Sequence, residues 1–268
     1  MDRAVKSMLE VKGLRKVYED ASRTVEAIRD VSFSVGQGEL VCIVGPSGAG
    51  KTTLLKCIAG LLTPTAGSIA LEGQPVTGPP PAMAVVFQEY GRSLFPWMSV
   101  HDNVILPLKQ KKMPAERREE LVRDALLAVD LKGVEGAYPW QLSGGMQQRV
   151  AIARAVAYEP HVLLMDEPFA AVDAQTRADL EDLIRVLWRK LRVTVLFVTH
   201  DIDESVYLGQ RVLMMSHAPT VIMEDVPIDL PDDRTQLETR SMARFGELRK
   251  HIYSQIQLAK QGWRPPSA

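Results

Sequence analysis

Between Val25 and Val35 apolar and polar residues alternate, with Val31, Phe33 and Val35 on one face and Ser32 and Ser34 on the other. A period of two predicts a half-exposed strand and an antiparallel sheet in the N-terminal segment. After the turn at Gly36-Gln37-Gly38 the texture changes. Leu40 to Val44 is apolar at every position, as a strand covered on both faces requires, and the same pattern returns at Val162 to Met165 and Val193 to Val198. Helical segments such as Thr52 to Leu62 and Ala174 to Leu191 separate these runs, so an α/β fold around a largely parallel sheet is expected.

Between Glu89 and Trp140 charges cluster, and Leu121, Ala125, Leu126 and Val129 recur at helical spacing. This reads as a helical insertion. The tail carries Pro219, Pro227 and Pro231, then an amphipathic stretch from Thr239 to Lys260 whose part from Phe245 to Leu258 is expected to pack on the core, and a fraying Pro-Pro-Ser-Ala end. The expected division is 1–88, 89–140, 141–224 and 225–268. With 32 Lys and Arg against 33 Asp and Glu among 268 residues, the chain lacks the positive field of a nucleic-acid binder. Cys42 and Cys57 sit in apolar runs and read as buried thiols of a reducing compartment. No uninterrupted apolar run is long enough to span a bilayer, and the start lacks a secretory signal, so a cytosolic location is expected.

Gly45-Pro46-Ser47-Gly48-Ala49-Gly50-Lys51-Thr52 follows a covered strand and opens a helix. Its glycines let the loop turn several backbone N–H groups onto one anion, and the helix adds its positive end. Lys51 supplies charge for the β- and γ-phosphates, and Thr52 offers Mg²⁺ a hydroxyl. Val162 to Met165 ends in Asp166-Glu167, two acids at the carboxyl end of a strand, where open α/β sheets bind ligands. Asp166 suits Mg²⁺ held through water, and Glu167 suits orientation of an attacking water. His200 ends another covered strand and is either a structural histidine or a donor to the γ-phosphate. Ser143-Gly144-Gly145 opens an Ala-rich helix and is either a plain N-cap or a second anion site.

Taken in order, Gly45 to Thr52, Gln88, Leu142 to Gln147, Val162 to Glu167, Asp173 and His200 resemble the Walker A, Q-loop, signature, Walker B, D-loop and switch-histidine elements of an ABC transporter ATP-binding subunit. The resemblance spans nearly the whole chain. It implies a P-loop NTPase core with a mostly parallel sheet, an N-terminal antiparallel β subdomain and a helical insertion subdomain. It also implies ATP and Mg²⁺ as cofactors, with Thr53 joining the P-loop in holding ATP, and Thr52, Gln88 and Asp166 at the metal. The family works as a head-to-tail homodimer in which Leu142, Ser143, Gly144, Gly145, Met146 and Gln147 of one chain face the nucleotide of the other, Asp173 crosses the interface, and Glu167, Gln88 and His200 serve hydrolysis. Tyr18 matches the aromatic that stacks on adenine; the other reading is a core aromatic of the sheet. Leu94-Phe95-Pro96-Trp97-Met98-Ser99-Val100 is either an apolar socket for a coupling helix of a membrane subunit or internal packing of the insertion.

Phe87-Gln88-Glu89-Tyr90, Leu94 to Trp97, Trp140-Gln141, Met146 and Thr199 to Glu204 are similar to the nitrate, sulfonate and taurine importer branch. Such importers pair two ATPase chains with two permease subunits and a solute-binding protein, at the cytoplasmic face of the plasma membrane. Phe169-Ala170-Ala171-Val172-Asp173 lacks the serine usual in the D-loop, and Ser216-His217-Ala218-Pro219-Thr220 replaces the Arg-Pro-Gly common in this branch. Other ABC transporters, a non-transport ABC ATPase and a P-loop kinase are the competing classes. A basic face or a second cassette would favour the non-transport class, and neither is seen; a kinase or regulatory nucleotide-binding module would need a phosphoacceptor pocket or a decayed Walker B, and Glu167 and the signature argue against it.

Overall fold

A computed structural model describes residues 7–19, 23–88 and 93–261. In chain order its strands are β1 (Ser7–Glu19), β2 (Thr24–Gly36), β3 (Leu40–Val44), β4 (Ala66–Leu71), β5 (Gln74–Pro75), β6 (Met83–Val86), β7 (Val162–Asp166), β8 (Thr194–Val198), β9 (Arg211–Met215) and β10 (Thr220–Pro227). The helices that matter for the site are α1 (Lys51–Ile58), α2 (Val100–Ile105), α3 (Ala115–Ala128), α4 (Gly144–Ala157), α5 (Ala174–Leu191), α6 (Ile202–Leu208), α7 (Gln236–Ser241) and α8 (Ala243–Lys260). The chain divides into two compact units, one of residues up to Pro80 together with those from Arg192, the other Pro81–Leu191.

In the first unit the strand order is β5-β4-β1-β2-β10-β9-β3-β8. β3 is paired in parallel on both sides, Leu40 against Val195 of β8 and Val41 against Arg211 of β9. That placement explains its sequence, because a strand with neighbours on both edges and both faces covered has no position left for a polar side chain; all five of its residues are buried. Thr194 is the polar exception in β8, and its hydroxyl is used by the Gly38 N–H at 2.9 Å. β1 pairs antiparallel with β2 and β4, and β10 antiparallel with β9. The alternation read in β2 is present: Val31 and Val35 are buried while Ser32 and Ser34 are exposed.

The second unit holds the parallel pair β6 and β7, with Met83 against Val162 and Val86 against Met165. Its helices α3 and α4 pack on each other, α3 burying Leu121, Val122, Ala125 and Leu126. Each of the Leu and Val side chains moved out of water contributes about 1.5–3 kcal/mol before the entropy of ordering it.

Several boundaries differ from the sequence reading. Helix α1 stops at Ile58 rather than Leu62, with Gly60 at φ 68° just beyond it, a left-handed stop that glycine makes without strain. The amphipathic stretch from Thr239 is two helices, because Met242 is extended and breaks the run between α7 and α8. Within α8, Phe245, Leu248, Ile252, Ile256 and Ala259 form the buried stripe, and the helix packs on α6 and β9. The Pro-Pro-Ser-Ala end and Glu89-Tyr90 lie outside the described residues.

Candidate active site

The P-loop occupies the turn from β3 into α1. Gly48 and Gly50 both have φ 78°, which side-chain-bearing residues rarely adopt, so the loop can curl over the start of the helix only with glycine at these positions. Gly50 is also the N-cap of α1 and offers no side-chain acceptor, leaving the first amides of the helix free of a side-chain cap. Lys51 is 6% exposed, and its ammonium donates to the carbonyls of Gly45 at 3.0 Å and Pro46 at 3.2 Å. The charge is thus held inside the loop by partial negative charges. Thr52 is exposed and Thr53 half-buried.

Two contacts around this loop were not visible in the sequence. Thr220, fully buried at the start of β10, donates its hydroxyl to the Ala49 carbonyl at 2.5 Å and ties the loop to a strand 171 residues further along the chain. Tyr18 lies 3.1 Å, oxygen to oxygen, from the Thr53 hydroxyl, with Lys16 Nζ 5.3 Å from its ring centroid. The ring is 41% exposed, so it is not the core aromatic that the sequence left open.

His200 follows β8 as the P-loop follows β3. Since these strands are parallel, with Ile43 opposite Val198, both emerge at the same carboxyl edge of the first unit. His200 is exposed there.

In the second unit the parallel register of β6 and β7 likewise sends Gln88 and the acids Asp166 and Glu167 off one edge. Asp166 is 3% exposed, and Gln88 is exposed two residues past the end of its strand. Glu167 sits at φ 43°, a left-handed conformation that costs a side-chain-bearing residue on the order of 1–2 kcal/mol, and the buried Pro168 and Phe169 beside it hold the turn. Strain of this kind is retained where the direction of a side chain matters.

Leu142 is buried and precedes α4, which begins at Gly144 rather than in the Ala-rich part. Ser143 is its N-cap: the hydroxyl accepts from the Met146 N–H at 3.3 Å, and the Gln147 side chain donates to the Leu142 carbonyl at 3.2 Å. A Cβ on Gly145 would lie 2.4 Å from Thr176 Cγ2, so the helix start and the start of α5 approach as closely as only glycine permits. Asp173 caps α5, accepting from the Thr176 amide at 3.0 Å and hydroxyl at 2.7 Å. The hydroxyl bond chiefly holds its carboxyl below the usual 3.8.

The loop from Leu94 to Ser99 is ordered by a residue the sequence reading passed over. Asn103, fully buried in α2, donates to the carbonyls of Phe95, Met98 and Ser99 and accepts from the Phe95 N–H at 2.8 Å. Leu94 is 2% exposed and packs inward, whereas Trp97 is 69% exposed, its ring 5.4 Å from that of Phe95. Leu94 therefore follows the internal-packing reading, and Trp97 does not.

No helix among the described residues is long and apolar enough to cross a membrane. Thr52 in the first unit, and Gln88 and Asp166 in the second, each carry hard oxygen atoms of the kind Mg²⁺ prefers; among the described residues no three His, Cys, Asp or Glu side chains cluster as a metal site.

A family model described as ABC transporter matches residues 28–170, just over half of the chain. The chain belongs to the ABC transporter family. It is 44% identical over 233 residues to the nitrate import ATP-binding protein NrtD of Synechocystis, covering 87% of each chain. To the aliphatic sulfonates import ATP-binding protein SsuB of Bacillus cereus it is 39% identical over 249 residues, 92% of this chain and 95% of that one. Among solved structures, a dimeric ATP-binding cassette in a post-hydrolysis state with ADP and Pi superposes with a TM-score of 0.73 at 31% identity, covering 82% of this chain and 99% of that one. Within the family the chain is an ATP-binding, ATP-hydrolysing subunit, with the α/β fold expected from its strands and the cassette fold implied by the resemblance.

Proposed function

We propose that this ATPase powers uptake of a nitrate-, sulfonate- or taurine-like anion through closure of a head-to-tail homodimer on two ATP molecules. The observation that carries the reading is the P-loop itself: a helix start without a side-chain cap, with a buried ammonium that donates to the loop carbonyls of Gly45 and Pro46, acceptors that phosphate oxygens can replace. Gly45, Pro46, Ser47, Gly48, Ala49, Gly50, Lys51, Thr52 and Thr53 hold the phosphates. Tyr18 stacks on adenine, a contact worth on the order of 1–3 kcal/mol. Thr52, Gln88 and Asp166 hold Mg²⁺, which when bound offsets phosphate charge. Glu167 orients the attacking water, and His200 donates to the γ-phosphate.

Leu142, Ser143, Gly144, Gly145, Met146 and Gln147 meet the partner chain's nucleotide, and Asp173 lies at that interface without the neighbouring serine usual there. The dimeric neighbour supports this arrangement. The ATP site thus draws on residues of 1–88 and 141–224, while 89–140 forms the insertion and 225–268 the tail. The insertion presents Trp97 to one of two permease subunits, so the ATPase sits peripherally on the cytoplasmic face of the plasma membrane, with a solute-binding protein beyond. The solute class is supported by the named relatives. Nothing in the charge balance supports a nucleic-acid partner.

Ser143→Arg places a bulky cation at the signature and is expected to block closure while single-chain ATP binding persists. Light scattering with ATP checks this, and normal dimers in that variant would overturn the shared site. Uptake of nitrate, taurine and an alkanesulfonate into proteoliposomes holding the complete transporter then separates the solutes.

A further inference from the structure

Helix α6 begins two residues after His200, behind its N-cap Asp201, and its first turn carries a buried acid that the ATP site described above does not use. Glu204 is 4% exposed and Thr199 is 1% exposed. The Thr199 hydroxyl donates to Glu204 Oε2 at 2.5 Å and accepts from the Asp201 N–H at 2.9 Å. The hydroxyl therefore spends its one donor on the carboxylate and a lone pair on the amide beyond His200. On the strand side the Thr199 N–H donates to the Ile43 carbonyl at 3.1 Å, in the strand that leads into the P-loop. On the helix side the Asp201 carboxylate accepts from the N–H groups of Asp203 at 2.8 Å and Glu204 at 3.2 Å. His200 is the one exposed residue between two anchored neighbours.

Burying a carboxylate is costly unless it is well paired, and a plain helix cap is already supplied by Asp201. The short charge-assisted bond to Thr199 has a geometric consequence instead: it fixes the backbone on both sides of His200 relative to β3. We propose that Glu204, acting through Thr199, is a positioning residue that sets the direction of the His200 imidazole. This inference rests on the role proposed for His200 at the γ-phosphate.

The test compares ATP hydrolysis, ATP binding and thermal unfolding of the full chain for Glu204→Ala, Glu204→Gln, His200→Ala and the double variant Glu204→Ala/His200→Ala. Glu204→Ala is expected to lower kcat of the folded protein by about 10- to 100-fold, the range for a misplaced catalytic group, with ATP affinity retained. Glu204→Gln keeps an acceptor oxygen for Thr199 and is expected to recover most of that loss. In the double variant kcat falls no further than in His200→Ala alone, because both changes remove one function. Should Glu204→Ala not fold, Thr199→Ala removes only the bridging hydroxyl and its methyl and is expected to give the same split.

A kcat near wild type in folded Glu204→Ala or Thr199→Ala, beside an inactive His200→Ala, would overturn the positioning role. So would losses that simply multiply in the double variant. Full turnover by His200→Ala would remove the proposed role of His200 itself, a separate result from the first two.

Discussion

Two helices of this chain begin on glycine-rich turns and treat their exposed amides in opposite ways. Helix α1 has Gly50 at its N-cap, no side chain to accept a bond, and a lysine folded back on the loop carbonyls. Helix α4 has Ser143 at its N-cap with the hydroxyl engaged by Met146. The first start offers an anion a helix end with no side-chain cap and an ammonium that donates to neutral carbonyls. The second keeps the Met146 amide on its own cap, which takes a lone pair of the Ser143 hydroxyl and leaves the O–H as a donor. The difference suggests a division of labour: the P-loop binds nucleotide in a single chain, and the signature adds a contact only when a second chain supplies the phosphate.

The contrast can be broken most sharply at Lys51. Lys51→Ala removes charge-assisted bonds to phosphate, so single-chain ATP binding should weaken by about 10- to 100-fold; unchanged affinity by calorimetry would mean that the open start is not the ATP site. Ser143→Ala should act elsewhere. It removes a cap worth about 1 kcal/mol, lowering Tm by roughly 2–4 °C, and leaves single-chain ATP affinity unchanged. Weakened affinity in that variant would erase the distinction between the two starts.

The smallest effect concerns α5, whose Asp173 cap holds the helix start against which Gly145 packs. The Asp173 carboxyl is lowered in the folded chain, so its contribution to stability is complete above the unfolded value near 3.8 and is lost as pH falls through the folded value. Thr176→Val keeps the shape and removes the hydroxyl. Its Tm deficit should be constant near neutrality and shrink as pH falls below 3.8. A deficit independent of pH would assign the cap to packing alone.

What the sequence made legible divides along physical lines. Strands β3, β7 and β8 are apolar at nearly every position because they are covered on both faces, and the loops that follow them need residue types with few alternatives, as Gly48, Gly50 and Lys51 show. Strands β4 and β10 have mixed burial and escaped the reading, as did β9, whose Val212 to Met215 run resembles the others but follows no motif. The thirteen residues of β1 were hidden by register shifts that break the period of two. Among site residues, Thr220, Asn103 and Glu204 were missed because their partners are set by tertiary approach or lie in a loop with no periodic signal. For Ser143 the structure displays the cap that the sequence held open beside a second anion site, and the two are compatible, because the cap takes a lone pair of the hydroxyl and leaves its O–H able to donate to an anion.

Closure of two chains on ATP is tested most directly by the mass of the Glu167→Gln protein with ATP and Mg²⁺. Without the carboxylate proposed to orient water, ATP should remain uncleaved and the particle should weigh twice the 29.7 kDa of the chain, while wild-type turnover per chain rises with protein concentration. A variant that stays at 29.7 kDa with ATP bound, beside wild-type chains that hydrolyse at one rate per chain at every concentration, would contradict the account.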